Sequence, residues 1–277
     1  MTDRHGFIGL GDLGLPMAER LADGGFLHAA WARSPERCAP LRTAGVAVAD
    51  SPTDLGLRCD VVHVCVTDDD ALVEVVDRLA PGLNPGDLVV VHSTVLPDAC
   101  DEIAHRLAPR GVGVVDAPVC GGPVRARAGE LLISCGGDDE QIDRCRPALE
   151  QLGRTVRRVG GLGSGERVKL AMNLLYAANV EIICQAMDFA EELGVPREIM
   201  SEFVRALPYD GFVGGPLATG HVGSSRVRHG ARMLAKDVDY ASRAAADAGA
   251  DARDLLKLGT TAISSLADVA DEVATPA

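Results

Sequence analysis

The chain has 277 residues, of which 47% are hydrophobic and 24% charged, a composition that is typical of one large or two modest folded domains and excludes a disordered chain. Forty acidic and 27 basic residues give a net charge of −13, which repels phosphate backbones and anionic lipids. We therefore expect neither nucleic acid nor a membrane surface as a partner. The first residues lack the basic-then-apolar order of a signal peptide, and no run of about eighteen apolar residues is free of charge, so we expect a cytoplasmic protein.

The eight cysteines show no CxxC pair and no Cys/His cluster with the spacing of metal ligands. We expect them to be reduced thiols, mostly buried as small apolar groups, and we expect no metal site.

Short apolar runs alternate with turns and with stretches of helical period from His5 to about Gly160. Because these runs are almost continuously apolar, they are typical of parallel strands that helices cover on both faces. The pattern predicts an open, doubly wound α/β sheet with crossover helices at Gly14–Ala22, Ala71–Leu79 and Ala99–Leu107. The predicted strands are His5–Leu10, Phe26–Ala32, Val61–Val66, Leu88–His92, Val112–Val115, Leu131–Cys135 and Thr155–Val159.

A long helix follows the α/β pattern. Ser164 is predicted to cap it, and no residue interrupts the helical period before Gly194. About thirty residues at 1.5 Å each give roughly 45 Å, which is longer than a typical domain is wide, so the helix must cross between domains or subunits. Its apolar residues lie on several sides, which predicts a homodimer or a homotetramer. Further helices are predicted at 198–207, 231–248 and 252–270, with a glycine-rich connector at 211–230.

A glycine-rich string, Gly9-Leu10-Gly11-Asp12-Leu13-Gly14, joins the first predicted strand to the first helix. The first glycine permits a tight turn, the second lets the backbone approach a pyrophosphate, and the third permits close packing of the helix. Such strings also occur for steric reasons alone. In the first strand-helix unit of an α/β pattern, however, we interpret it as a dinucleotide-binding turn. Residues 1–162 then form a dinucleotide-binding domain, and residues 163–277 form a helical domain for substrate binding and oligomerisation.

The tip of the second predicted strand indicates which dinucleotide is bound. An acidic residue there would hold the ribose hydroxyls of NAD, but this tip carries Arg33 and Ser34 and no carboxylate. A guanidinium and a hydroxyl suit a 2′-phosphate, so NADP(H) is the preferred cofactor and NAD(H) the alternative. The competing interpretation is a solvated arginine in a turn, which also describes Arg37.

Two further strand ends face the same crevice, because ligands of open sheets lie beyond the carboxyl ends of the strands. Asp68 and Asp69 are predicted to cap the next helix, whereas Thr94 is a candidate for the nicotinamide half. The later string Asp116–Pro123 contains consecutive glycines whose open amides suit a carboxylate or an oxyanion, although a simple turn has the same composition.

In the long helix, Lys169 and Asn173 are four residues apart and therefore lie on one face. Burying an ammonium without a partner is costly, so a lysine in an apolar helix is of interest. Without further context, the simpler interpretation is a lysine whose charged end reaches the solvent.

Four strings, taken in order, resemble signature segments of the β-hydroxyacid dehydrogenase family. This family includes 3-hydroxyisobutyrate dehydrogenase, tartronate semialdehyde and glyoxylate reductases, and 6-phosphogluconate dehydrogenase. The strings are GFIGLGDLGLPMAERL, DAPVCGGPVRARAGELLI, GSGERVKLAMNLL and MLAKDVDYA, and together they span residues 6–241. The resemblance implies hydride transfer between a nicotinamide and a small β-hydroxyacid or semialdehyde acid.

The resemblance also implies roles for individual residues. Lys169 would be the general acid/base, and Asn173 would position the substrate. Cys120, Gly121 and Gly122 would bind the substrate carboxylate. The residues implied or interpreted as cofactor-binding are Gly9, Gly11, Asp12, Leu13, Gly14, Arg33, Ser34, Thr94 and Lys236.

One departure from the family pattern concerns Cys120, which stands where the family usually has a serine. A thiol is a weaker hydrogen-bond partner than a hydroxyl. Either the amides of Gly121 and Gly122 provide most of the carboxylate recognition, or the substrate is unusual.

Two alternatives stay open at this point. A relative that reduces imines or other non-carboxylate compounds would typically lack the lysine that matches Lys169. A regulator that senses NADP(H) would bind the cofactor without turnover. Candidates for the wall of the substrate pocket are Arg125, Arg127, Tyr209, Phe212 and His221.

Overall fold

The computed structural model describes residues 3–206 and 224–272. The chain divides into two compact units, Met1–Lys169 and Leu170–Ala277. The domain boundary that we predicted, between residues 162 and 163, lies just before the long helix. Three of the predicted pocket-wall residues, Tyr209, Phe212 and His221, lie outside the described residues.

The first unit is built on a sheet whose strands are short and mostly buried. They are β1 (His5–Ile8), β2 (Leu27–Trp31), β3 (Ala47–Val48), β4 (Val61–Val64), β5 (Leu88–Val91), β6 (Gly113–Asp116), β7 (Val119–Cys120), β8 (Leu131–Gly136) and β9 (Gly153–Gly160). Their spatial order is β3-β2-β1-β4-β5-β6-β8-β7, and β9 pairs with β8.

Helices connect the strands of the first unit and form the described part of the second unit. Those of the first unit are α1 (Gly14–Asp23), α2 (Ala39–Thr43), α3 (Pro52–Arg58), α4 (Asp69–Leu79), α5 (Pro97–Leu107), α6 (Gly122–Ala128) and α7 (Asp139–Leu152). Helix α8 (Ser164–Glu192) passes from the first unit into the second, which continues with α9 (Arg197–Ala206), α10 (Ser224–Asp247) and α11 (Arg253–Glu272).

Helices cover both faces of the sheet, which confirms the predicted doubly wound architecture. Met17 of α1 and Leu149 of α7 belong to one buried cluster, whereas Leu72 of α4 and Ile103 of α5 belong to a second one. All neighbouring strands from β3 to β6 pair in parallel, as their continuous apolarity predicts.

The parallel prediction is wrong for the two strands β8 and β9, which run opposite to β6. Strand β8, predicted as Leu131–Cys135, runs antiparallel to β6 and β7 and parallel only to β9. Only residues 121–130 separate β7 from β8, and a crossover between parallel strands needs a dozen or more residues. The chain therefore reverses its direction here, next to the predicted substrate loop.

The described elements of the second unit are all helices, in agreement with the predicted helical domain. The glycine-rich connector predicted at 211–230 is wrong at its end, because α10 already begins at Ser224. Gly259 of α11 permits close packing, since a Cβ atom there would lie 3.1 Å from Val238 and 3.2 Å from Leu174.

Helix α8 is the one helix among the described residues whose length and apolar composition would suffice to cross a membrane. In the most apolar stretch of 18 residues in this helix, 44% is buried inside the chain. Helices of protein cores meet the same criteria of length and composition.

Candidate active site

The turn between β1 and α1 has the geometry that its three glycines predict. Gly9 has φ +95°, and a Cβ atom there would fall on the carbonyl oxygen of Cys65. A Cβ atom on Gly14 would fall on the carbonyl oxygen of Gly9, whereas one on Gly11 would meet no atom within 4 Å. Two glycines thus permit tight packing, and the third leaves the backbone open. The turn therefore fits the pyrophosphate of a dinucleotide.

The residues after β2 lie near this turn. Arg33 is exposed and Ser34 is half-buried. Arg37, which sequence reasoning treated as a solvated residue, has its Nη1 atom 3.9 Å from Oδ1 of Asp12 in the glycine turn. Both partners are largely exposed, so the ion pair adds little stability. The ion pair does show that the guanidinium of Arg37 lies beside the turn.

The loops after β4 and β5 are tied together. The hydroxyl of Ser93 accepts a hydrogen bond from the backbone amide of Val66 at 2.8 Å, and the half-buried Thr94 follows in the same loop. Asp68 caps α4 by accepting from the amide of Ala71 at 2.9 Å, which confirms its predicted role.

Lys169 lies against the predicted substrate loop. Its Nζ atom donates a hydrogen bond to Sγ of Cys120 at 3.6 Å, and both side chains are partly buried. The next two residues, Gly121 and Gly122, have φ +138° and +70°, which glycine adopts at little cost. The structure thus brings together the predicted proton-transfer group and the predicted carboxylate-binding loop, which are far apart in the sequence.

The start of α8 is fixed by a residue that sequence reasoning did not select. We predicted Ser164 as its cap, but Ser164 is the first helical residue, and the carboxylate of Asp116 accepts from the amides of Gly163 at 2.8 Å and Glu166 at 2.9 Å. A carboxylate that ends a neighbouring strand therefore replaces the local cap. Burial raises the pKa of Asp116 above its usual range, while the amides of Glu166 and Gly163 oppose this shift.

The site residues predicted in the second unit share one carboxylate. The amide of Asn173 donates to Oδ2 of Asp237 at 2.7 Å, and Nζ of Lys236 lies 3.3 Å from Oδ1 of the same residue. Lys236 also lies over the ring of Tyr240, 5.0 Å from its centroid. Asp237 therefore fixes both the amide and the ammonium.

All eight cysteines are free thiols, and six of them are buried, as expected. Burial raises the pKa of Cys59, Cys135 and Cys145 to about 12, which leaves these thiols protonated and unreactive near neutral pH. Cys120 is one of the two that are only partly buried. Within residues 3–206 and 224–272, no three His, Cys, Asp or Glu side chains are grouped so that they would hold a metal ion.

Comparison with known protein families shows to which family the chain belongs. The family described as the NAD binding domain of 6-phosphogluconate dehydrogenase matches residues 4–161. The chain belongs to this dehydrogenase family. The resemblance to β-hydroxyacid dehydrogenases that the four sequence strings indicate is confirmed, and the protein is an oxidoreductase that uses a pyridine nucleotide.

Its relatives include named dehydrogenases. An uncharacterised oxidoreductase of Mycobacterium tuberculosis is 34% identical over 217 residues, 77% of this chain and 72% of that protein. The L-threonate dehydrogenase of Cupriavidus necator is 32% identical over 209 residues, 74% of this chain and 70% of that protein. The crystal structure of 3-hydroxyisobutyrate dehydrogenase from Salmonella typhimurium matches with a TM-score of 0.82 and 25% identity, covering 98% of this chain and 95% of that one.

Proposed function

We propose that the protein interconverts a small β-hydroxyacid and the corresponding semialdehyde acid with NADP(H), using Lys169 as the general acid/base. The observation that carries this proposal is the contact between Nζ of Lys169 and Sγ of Cys120, at 3.6 Å. It puts a partly buried ammonium beside a loop whose glycine backbone suits an anion. A carboxylate bound at this loop would hold its carbonyl end within reach of the lysine.

The cofactor would be held at the carboxyl ends of the strands. When bound, a nicotinamide supplies the hydride in reduction and accepts it in oxidation. The turn from Gly9 to Gly14 would bind the pyrophosphate, Arg33 and Ser34 would bind a 2′-phosphate, and Thr94 and Lys236 would lie near the nicotinamide half. NADP(H) is therefore the proposed cofactor rather than NAD(H).

Lys169 would hold and move the proton. In reduction its ammonium form donates a proton to the carbonyl oxygen, and in oxidation its neutral form accepts the proton from the alcohol. A guanidinium would not release a proton near neutral pH, which explains a lysine at this position in a chain with 24 arginines and three lysines. Asn173, whose amide nitrogen donates to Asp237, would help to position the substrate.

The loop and the names of two relatives support the proposed substrate class. Cys120 already accepts a hydrogen bond from Lys169, and a thiol is a weak partner, so the amides of Gly121 and Gly122 would recognise the carboxylate. The names of two relatives, an L-threonate dehydrogenase and a 3-hydroxyisobutyrate dehydrogenase, are those of hydroxyacid enzymes. The presence of Lys169 argues against the imine-reducing alternative.

A turnover assay tests this proposal. NADPH and NADH are each mixed with glyoxylate and with succinic, methylmalonic and tartronic semialdehydes, and loss of reduced nicotinamide is followed by absorbance. We expect oxidation of NADPH by at least one of these acids. Binding of NADPH without turnover of any carbonyl acid would instead favour the sensor alternative.

Replacement of the lysine tests its role. Lys169→Ala is expected to lower kcat by at least about 100-fold, because the proton donor is lost, while the Kd of NADPH stays near the wild-type value. Lys257→Ala, at an exposed position in α11, is the matched control and should leave both values unchanged. A Lys169→Ala protein that keeps most of its activity would remove Lys169 from this role.

We also propose that the protein forms a homodimer or a homotetramer in the cytoplasm and has no nucleic-acid or membrane partner. Its acidic net charge supports the absence of such partners. A row of exposed apolar residues along α8, which includes Leu175, Ile182 and Phe189, supports self-association, because so much apolar surface is costly to leave in water.

A further inference from the structure

Two buried carboxylates meet at the first turn of α8, and the mechanism proposed above uses neither. The side chains of Asp116 and Glu166 are both 0% exposed. They are linked, because the backbone amide of Glu166 donates to Oδ2 of Asp116 at 2.9 Å. Burying two acidic groups at one place is costly unless each receives hydrogen bonds.

Asp116 connects the helix to the substrate loop. Its carboxylate holds the amides of Gly163 and Glu166, and its own residue ends β6, four positions before Cys120. The adjacent Ala117 is held too, because its carbonyl oxygen accepts a hydrogen bond from Nδ1 of His92 at 2.8 Å. The strand end that leads into the loop is therefore fixed on both sides.

The surroundings of Asp116 are shaped to admit its carboxylate. A Cβ atom on Gly136 would fall on Oδ1, and a Cβ atom on Gly165 would lie 2.7 Å from Oδ2. Any other residue at either position would displace the carboxylate or the helix. Gly136 in β8 and Gly165 in α8 therefore leave the space that the carboxylate of Asp116 occupies.

Glu166 connects the same helical turn to the loop after β5. Its Oε2 atom accepts a hydrogen bond from the amide of Val95 at 3.3 Å, and Val95 follows Thr94, the proposed nicotinamide-side residue. Glu166 precedes Lys169 by three positions, so the two residues share one turn of the helix. A shift of Glu166 would therefore move Lys169 as well.

We propose that Asp116 and Glu166 are positioning residues, which together fix the first turn of α8 so that Lys169 meets the Cys120 loop on one side and the Thr94 loop on the other. This proposal rests on the proposed role of Lys169. Proton transfer is sensitive to geometry, and a displacement of about 1 Å can cost about 100-fold in rate. The carboxylates act on the reaction only through the helix.

The experiment measures the position of Lys169 directly. An amine-acylating reagent is applied to the full-length protein, and labelling of its three lysines is followed by mass spectrometry of peptides. The exposed Lys257 is the internal standard. The variants are Glu166→Ala, which removes the acceptor for Val95, Glu166→Gln, which keeps an acceptor oxygen, and Asp116→Asn, which replaces one acceptor by a donor.

We expect Glu166→Ala and Asp116→Asn to label Lys169 several-fold faster relative to Lys257, because the freed ammonium leaves Cys120. Glu166→Gln is expected to restore slow labelling. The substrate for the kinetic measurement is a carbonyl acid that the wild-type protein reduces. The kcat of Glu166→Ala and of Asp116→Asn should then fall by about 100-fold, while KM and the Kd of NADPH change little.

The control is Ser51→Ala, which removes the hydroxyl that caps α3 by accepting from the amide of Asp54. It should lower the unfolding temperature without changing the labelling of Lys169 or kcat. Equal labelling of Lys169 in wild type and folded Glu166→Ala would overturn the proposal, and so would faster labelling in Ser51→Ala. If Asp116→Asn fails to fold, the two Glu166 variants decide. Faster labelling in a protein that reduces no carbonyl acid would support the positioning and refute the proposed function.

Discussion

Three histidines form a hydrogen-bonded row inside the sheet, on the adjacent strands β1 and β4 and directly after β5. Nδ1 of His5 lies 3.0 Å from Nε2 of His63, Nδ1 of His63 lies 2.9 Å from Nε2 of His92, and Nδ1 of His92 lies 2.8 Å from the carbonyl oxygen of Ala117. A carbonyl oxygen only accepts, so Nδ1 of His92 donates to Ala117. When the rings are neutral, Nε2 of His92 then accepts from Nδ1 of His63, and Nε2 of His63 accepts from Nδ1 of His5. All three hydrogen bonds of the row are therefore made while the rings are neutral.

This row predicts a loss of stability in acid. Burial lowers the pKa of His92 to about 4 and also lowers the pKa of His63 and of His5. Among the charged groups near the row, Asp3 and Asp60 raise the pKa of His5 and Arg144 lowers it, but burial has the larger effect. Because the folded-state pKa lies below the unfolded value of about 6.5, the stabilisation is complete above that pH and is lost as the pH falls toward 4. For His92, the difference between the unfolded and folded pKa values corresponds to about 3 kcal/mol in the free energy of unfolding.

Urea unfolding between about pH 7.5 and 4.5 measures this loss, with the fluorescence of Trp31, the single tryptophan, as the signal from the first unit. In His92→Gln, whose amide does not titrate, the free energy of unfolding should depend less steeply on pH. The same slope in wild type and variant would show that His92 does not titrate in this range.

Arg33 determines the cofactor preference if the proposed 2′-phosphate contact exists. Arg33→Ala is expected to weaken NADPH binding by about 10- to 100-fold, as for the loss of a charge-assisted hydrogen bond, and to leave NADH binding nearly unchanged. The Kd values for both cofactors, measured by nicotinamide fluorescence, check this. An unchanged ratio of the two Kd values would contradict the assignment. Arg37→Ala then tests whether the guanidinium beside Asp12 contributes instead.

At the scale of elements, helix α8 has an apolar row that the described residues leave exposed. Leu175, Ile182 and Phe189 are 51%, 54% and 61% exposed and recur every seven residues, which keeps them on one side of the helix. Ile182→Glu should shift the protein toward a monomer, because a buried charge without a partner is costly at an interface. Light scattering after size-exclusion chromatography measures this, with the exposed Glu192→Lys as the control. A monomeric wild-type protein would contradict the proposed assembly.

The elements that the sequence predicts best are those with a repeated apolar period. Strands β1, β2, β4 and β5 and helix α8 lie within a few residues of their predicted bounds. Strands β3 and β7 have two residues each, too few for any period, and were missed. Helix α7 was missed as well, and it contains Pro147, a residue that ordinarily marks a helix end.

The limit of sequence reasoning is clearest at the candidate site. The glycine turn was found from its local spacing, and Lys169 and Asn173 were found through the resemblance of their segment to the dehydrogenase family. Asp116 and Glu166 were not, because each acts through contacts with residues about fifty to seventy positions away. In the sequence, Asp116 only opens the glycine-containing string Asp116–Pro123, and Glu166 only stands in the first turn of a predicted helix, where an acidic residue is favourable in any case. Only the packed structure shows that both side chains are buried.

At the scale of the whole molecule, an acidic protein is proposed to bind an anionic cofactor and an anionic substrate. A net charge of −13 opposes such binding at long range, so attraction must come from donors placed in the site. Backbone amides at the two glycine segments supply such donors without adding side-chain charge.

The cap that Asp116 provides for α8 also has a consequence for the order of assembly. The acceptor for the first amides of the helix lies at the end of β6, so we expect these amides to be capped only after β6 has paired with β5. A nascent chain or fragment that contains the helix without the sheet would leave this end frayed. The amine of Lys169 would therefore reach its position beside Cys120 late in folding, once the surrounding sheet has formed.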